Sequence, residues 1–284
     1  MKYQIICDSC GDFTPEMKAD PHFRMVPLSL EIGEYRIMDD EAFDQADFIK
    51  RMAASSIGAK TACPSPEAFQ KAIEESDADE VYIVTLSDQL SGTYQAAKIG
   101  IDLYTESHED SPKKIHLFNS KSASAGECKL CLDIRECKEA GLGFVEVVDI
   151  IEKKCNDIVT VFVLESLETL RKNGRLSAVK SFLASALNIK PVMGAVNGII
   201  VKLDQQRGIQ KALKRMVQLA VERAGGAEAV KDKRLVITHV NAPKRAEQVK
   251  EDFLKEGSYK EIVVTNAAGV ATIYANDQGI VAAL

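Results

Sequence analysis

The tightest constraint on this chain is a series of short, β-branched segments that are apolar without interruption. YQIICDS (3–9), VYIVTL (81–86), KIHLFNS (114–120) and VTVFVLES (159–166) are separated by amphipathic stretches. A strand that is apolar throughout, rather than at alternate positions, is buried on both faces, as in a parallel sheet covered by helices. The intervening segments read as those helices. They are DFIKRMAAS (47–55), PSPEAFQKAIEES (64–76), the stretch following Ser91-Gly92-Thr93, a long helix from about Ser124 to Ala140, and FVEVVDIIEKKC (144–155). Ser65 and Pro66 suit the cap and first turn of the second, and Thr14 and Pro15 mark another start. FRMVPLSLEI (23–32) reads as one further strand, with Pro27 marking an edge or an irregular stretch.

After Ser166 the pattern changes. LETLRKNGRLS (167–177) reads as a helix stopped at Asn173-Gly174, and AVKSFLASAL (178–187) as another. KPVMGAVNGIIVKL (190–203) is a hairpin, two apolar runs joined by Asn197-Gly198, a pair that tolerates positive φ at both turn positions. A helix over 209–226, the strand RLVITHV (234–240), a helix near 243–255 and the strand EIVVT (261–265) complete an α+β pattern. The expected fold class is α/β. A doubly wound, mostly parallel N-terminal sheet precedes a smaller C-terminal α/β domain with a mixed or antiparallel sheet. The expected domains are residues 1–163 and 164–284, with a ligand between the two.

The chain has 284 residues, 46% of them hydrophobic and 27% charged, and a formal net charge of −6. That balance fits a globular protein and argues against nucleic acid as a partner, since no Lys/Arg stripe interleaved with aromatics counters it. MKYQIICDS reads as a first strand rather than an export signal, and no apolar run approaches the roughly 20 residues that span a bilayer. A cytoplasmic protein without stable membrane insertion is therefore expected. The seven cysteines include two C-x-x-C spacings, Cys7–Cys10 and Cys128–Cys131. Four thiolates could make a tetrahedral zinc site. Placement at a strand end and in mid-helix instead favours small buried hydrophobes, and no metal is expected.

In an open α/β sheet, ligands bind beyond the carboxyl ends of the strands. The loops there carry Asp8-Ser9, Ser87 to Thr93, Asn119-Ser120 and Glu165-Ser166, a rim of short hydroxyl and amide side chains that also suit helix caps. Leu90-Ser91-Gly92-Thr93-Tyr94 is the sharpest of these. Its serine can cap a helix, cradle an anion or act as a nucleophile. Neither G-x-G-x-x-G nor G-x-x-x-x-G-K-[ST] occurs, which weakens the phosphate reading. There is no G-x-S-x-G elbow. Of the four histidines only His239, at a strand end, is plausibly placed as a base, and a structural role suits it better. What remains is recognition of an anion by hydroxyls and free amides at a helix start, with an apolar slot for any tail.

The order of motifs resembles the DegV family of bacterial fatty-acid-binding proteins, which includes the acyl-carrier subunits of fatty acid kinase. The matching pieces run nearly the full chain. They are CDSCGDFTPEM, VPLSLEI, KTACPSPEAF, LSDQLSGTYQAA, FNSKSASAGE, LESLETLRKNGRLS and SALNIKPVM. The resemblance implies a non-catalytic protein that holds a long-chain fatty acid, its only ligand, between two domains and needs no cofactor. It also implies an ATP-dependent fatty acid kinase subunit as partner; no ATP-binding signature occurs in this chain. The family's carboxylate contacts fall on Thr61 and Ser91, with Gly92, Thr93 and Ser120 on the same rim. Arg175 and Lys190 also fit family positions, and both suit structural roles as well. Two departures stand out. The usual T-S-Q-P-S reads Thr61-Ala62-Cys63-Pro64-Ser65, and the histidine-containing loop H-T-G-P-G of many relatives is replaced by a stretch with Tyr274 and Asn276-Asp277-Gln278. Tyr274 would then donate its hydroxyl to the carboxylate or pack within a strand. The alternatives are another amphipathic anion on the same fold, or a serine hydrolase using Ser91.

Overall fold

The computed structural model describes residues 2–176 and 188–284, so the helix expected over 178–187 lies outside the described residues. Three sheets organise the chain. The first is four-stranded and wholly parallel, in the order β2 (Phe23–Val26), β1 (Tyr3–Asp8), β6 (Glu80–Thr85), β7 (Lys114–Asn119). The second is three-stranded and antiparallel, in the order β4 (Tyr35–Met38), β3 (Ser29–Ile32), β5 (Lys60–Ala62). The third is six-stranded and mixed. Its order is β10 (Ile199–Arg207), β9 (Ile189–Val196), β8 (Thr160–Val163), β13 (Ile280–Ala283), β11 (Arg234–His239), β12 (Glu261–Asn266). Only β11 and β12 run parallel there.

The parallel sheet is doubly wound, and the side-chain alternation along each strand shows it. Ile6, Val81 and Ile83 pack on Phe69, Ile73 and Ala97 of the helices Pro66–Glu74 and Thr93–Ser107. Ile5, Cys7, Tyr82 and Val84 face the helices Ala125–Glu139 and Phe144–Asp157 on the other side. Ala125–Glu139 is buried nearly all round because it lies between two sheets. Its apolar cluster takes in Val236 of β11 and Ala283 of β13 as well as β1 and β6. Its buried Lys129 and Asp133 are paired with each other there. The far face of the six-stranded sheet is covered by the helices Ile209–Arg223 and Pro243–Glu256, through Leu213, Met216, Val249 and Phe253.

Three local expectations change. The strand expected across 23–32 is two strands in different sheets, divided at Pro27, which has no N–H to give to a ladder. The run VTVFVLES does not extend the parallel sheet: Thr160–Val163 pairs antiparallel with β9 and β13 inside the six-stranded one. Tyr274 stands on a helix, Gly269–Ala275, rather than in a strand. The Asn197-Gly198 turn adopts positive φ at both residues, 50° and 79°, as the hairpin reading requires. Among the described residues, no helix is long and apolar enough to cross a membrane.

Candidate functional site

A cavity opens between the carboxyl end of the parallel sheet and the near face of the six-stranded one, enclosing about 840 Å³ including its open mouth. Leu86, Leu90, Phe162, Leu164, Ile200 and Val281 are among its apolar lining, with Ala271 and Ala275 from the Tyr274 helix. Four polar side chains cluster at one end: Thr61, Ser91, Arg175 and Tyr274.

Each is placed by a local device. Thr61 sits in the middle of β5, opposite Leu30, and its hydroxyl meets that of Tyr274 at 3.1 Å. The Tyr274 helix is held at its start by two buried carboxylates from far earlier in the chain. Asp39 accepts from the amides of Gly269 (2.7 Å) and Val270 (2.9 Å), and Asp12 accepts from Ala268 (2.7 Å). Gly269 is required there, since a Cβ would fall 2.2 Å from Leu30 Cδ1. Arg175 follows the helix Glu168–Lys172, which ends at Gly174 with φ of 75°. Its Nε donates to the Leu90 carbonyl at 3.2 Å, and its guanidinium lies 5.9 Å from the centre of the Tyr274 ring. Ser91 precedes the helix Thr93–Ser107 by two residues, so Gly92, not Ser91, occupies the N-cap position. The serine still serves the helix start: Ser91 Oγ accepts from the Thr93 amide at 3.3 Å and lies 2.9 Å from Thr93 Oγ1.

Three expected residues stand off the wall. Gly92 and Thr93 lie behind Ser91 in the helix start, Thr93 wholly buried. Ser120 is buried too, its hydroxyl donating to the Ser122 carbonyl at 3.1 Å. Lys190 is likewise away from the cavity, paired with the Glu165 carboxylate at 2.5 Å. Ser122, Ser124, Thr160 and Cys10 line the cavity and were not anticipated. For Thr160 the signal was present in the sequence: positions 160, 162 and 164 share one face of a strand, by the period-two rule.

Arg175 is the only charged side chain on the wall among the described residues, so the wall offers Ser91 no general base. None of the four histidines lines it. His239 accepts from the Ala242 amide through Nδ1 at 3.2 Å, and burial lowers its pKa, as for a neutral structural imidazole. The paired cysteines are buried and free. Burial pushes the thiols of Cys7, Cys10 and Cys128 well up, away from the thiolate that metal binding and redox exchange need. Asp8, Cys10 and Glu127 bring their ligand-type atoms within 4.8 Å of one another. The Asp8 oxygens are taken by the Cys10 and Leu86 amides. Burial raises the Asp8 carboxyl to about 7 and Glu127 well above the usual range. What the wall can do chemically is hold an amphipathic anion, with hydroxyls and one guanidinium at the polar end and an apolar slot beyond.

A family model described as "Uncharacterised protein, DegV family" matches residues 2–283. A DegV domain-containing protein of Streptococcus pneumoniae is 30% identical over 99% of this chain and 98% of its own length. The crystal structure of a DegV family protein from Ruminococcus gnavus, refined with vaccenic acid, is 42% identical. It superposes with a TM-score of 0.94 over 99% of both chains. The Streptococcus pneumoniae fatty acid kinase (Fak) B3 protein loaded with linoleic acid is 29% identical. Its TM-score is 0.87 over 100% of this chain and 99% of that one. This chain belongs to the DegV family.

Proposed function

We propose that the protein binds a long-chain fatty acid without transforming it. Its carboxylate meets the hydroxyls of Thr61, Ser91 and Tyr274, with Arg175 supplying positive charge beside them, and its tail fills the apolar slot. The observation that carries this reading is the gathering of those four residues, linked by the Thr61–Tyr274 contact and by Arg175 beside Leu90 and the Tyr274 ring, on the wall of a mostly apolar cavity. Hydroxyl donors give a carboxylate short, charge-assisted hydrogen bonds without adding charge that must itself be buried. The vaccenic acid in the Ruminococcus gnavus relative and the linoleic acid in the Fak B3 protein support the choice of ligand.

The second relative also supports a role in presenting the bound carboxylate to an ATP-using kinase subunit, which would carry out the phosphoryl transfer. The departures at Ala62-Cys63 and Tyr274 fall within the head-group end. The tyrosine then does by hydroxyl donation what a histidine does in other members.

Native mass spectrometry of the purified protein, before and after organic extraction, tests the binding reading. A co-purifying acyl species that is lost on extraction and regained on adding oleate is expected. No such species, together with no uptake of oleate, overturns it.

A further inference from the structure

The tail end of the cavity is not uniformly apolar. Ser122 and Thr160, 2% and 4% exposed, face each other there with their hydroxyl oxygens 2.6 Å apart. We propose that this hydroxyl pair receives a hydroxyl group carried on the acyl chain, so that the protein favours mid-chain hydroxy fatty acids over unsubstituted ones of the same length. The inference rests on the fatty-acid reading above and specifies the ligand further.

Position is the first argument. Thr160, Phe162 and Leu164 all line the cavity along one face of the same extended segment. Four residues of strand span roughly 13 Å. Just beyond Leu164 the segment meets the Tyr274 helix, since Asn276 Nδ2 donates to the carbonyls of both Ser166 (3.4 Å) and Tyr274 (3.3 Å). Thr160 is therefore about that far along the tail, near the middle of a long acyl chain.

Hydrogen-bonding capacity is the second. Two hydroxyls carry two protons, and their mutual bond uses one. The other has at best the Ala123 carbonyl, 3.5 Å from Ser122 Oγ and at the limit of bonding distance. One donor and several lone pairs thus remain for a guest. The other polar groups nearby are committed or weak: Ser124 Oγ donates to Asp12 at 2.5 Å, and Cys10 offers only a thiol.

The pair is also rigidly built. The Ser122 carbonyl accepts from the Ser87 amide at 2.8 Å and from Ser120 Oγ at 3.1 Å, while its own amide donates to Ser120 Oγ at 3.1 Å. Gly126 leaves the space that the serine hydroxyl fills, since a Cβ there would fall 1.9 Å from Ser122 Oγ. Hydroxyls on an apolar wall weaken its hold on a plain hydrocarbon and strengthen its hold on a chain that brings its own hydroxyl.

Competition binding on the full chain, with stearic acid and a mid-chain monohydroxy stearic acid as probes, tests the proposal. The hydroxy acid should bind roughly three- to ten-fold more tightly, the worth of one neutral hydrogen bond. Thr160→Val keeps the side-chain shape and should bring the affinity ratio close to one. Ser122→Ala should do the same, and serves if the valine variant does not fold. Equal affinity of the wild type for both acids overturns this inference alone, as does a preference that survives in both variants. Failure to take up either acid overturns the fatty-acid reading itself, and this inference with it.

Discussion

Asp39 and Gly269 stand 230 positions apart in the chain, yet the Asp39 carboxylate accepts the Gly269 amide at 2.7 Å. With the Val270 and Ala268 amides taken by Asp39 and Asp12, the short helix that carries Tyr274 owes its start to acceptors outside its own segment. A carboxylate at a helix N-terminus satisfies orphan amides and meets the positive end of the helix dipole. Burial works against its charge.

That opposition sets a pH dependence. Burial, the leading cause in each case, raises Asp12 to about 7 and Asp39 to about 6, and Asp8 to about 7. A carboxyl whose folded pKa lies above its unfolded one binds its proton more tightly when folded. The stability it contributes is complete below the unfolded value near 4 and is lost as pH rises through the folded value. Thermal unfolding should therefore show a melting temperature that falls between about pH 4 and about pH 7 and then levels off. Glu165, held low by Lys190 and Arg245 against its own desolvation, acts in the opposite sense, and only below its ordinary range near 4.5. Asp39→Asn should flatten the slope in the upper window. An unchanged slope would show that Asp39 does not titrate there.

Tyr274→Phe removes one hydroxyl and keeps the ring beside Arg175. If that hydroxyl, now 3.1 Å from Thr61 Oγ1, turns to a bound carboxylate, fatty-acid affinity should fall by roughly ten-fold or more. A hydrogen bond to a charged acceptor is worth about 1.5–3 kcal/mol. Calorimetric titration with oleate measures the change. Affinity within two-fold of wild type would remove Tyr274 from the head-group contacts.

Much of this arrangement was legible in the sequence, and the parts that were not share a cause. Strands β1, β6 and β7 and the Asn197-Gly198 hairpin declare themselves because their own residues carry the pattern. The Tyr274 helix does not, since GVATIYA is rich in β-branched residues and its start is fixed by Asp12 and Asp39. Strand β5 is three residues long and gains its identity only by pairing with β3. Thr61, Ser91, Arg175 and Tyr274 all line the cavity wall. Ser122 and Thr160 escaped notice because a serine after a strand reads as a cap and a threonine within one reads as filler.

Ser91→Ala separates binding from catalysis. The hydroxyl sits against Thr93, and among the described residues the cavity wall carries no carboxylate or histidine to act as its base, so its expected role is donation to a carboxylate. The variant should bind oleate roughly ten-fold more weakly. Incubation of the wild type with a p-nitrophenyl acyl ester should leave the protein mass unchanged. A covalent acyl adduct on the wild type that is absent in Ser91→Ala would restore the hydrolase alternative.

Asp133, on the helix between the two sheets, tests what fastens the six-stranded sheet to that middle layer. It is 2% exposed along its side chain and pairs with Lys129 at 2.8 Å, with Lys154 at 3.0 Å, and with Arg234 at the start of β11. Desolvation alone would raise its carboxyl; the three cations outweigh that and hold it below the usual range. Asp133→Ala leaves Lys129 and Arg234, both under 10% exposed along their side chains, without this shared partner. Arg234 keeps Glu136 and Glu261 at its more exposed side, whereas Lys129 has no other carboxylate within 4.0 Å among the described residues. Breaking a buried pair from one side costs about 3–5 kcal/mol. For a chain of this size, that corresponds to a fall of roughly 10 °C in melting temperature. Asp133→Ala with Lys129→Met, which removes the stranded ammonium, should recover part of the loss. A double variant no more stable than Asp133→Ala would place the cost in lost packing rather than in unpaired charge.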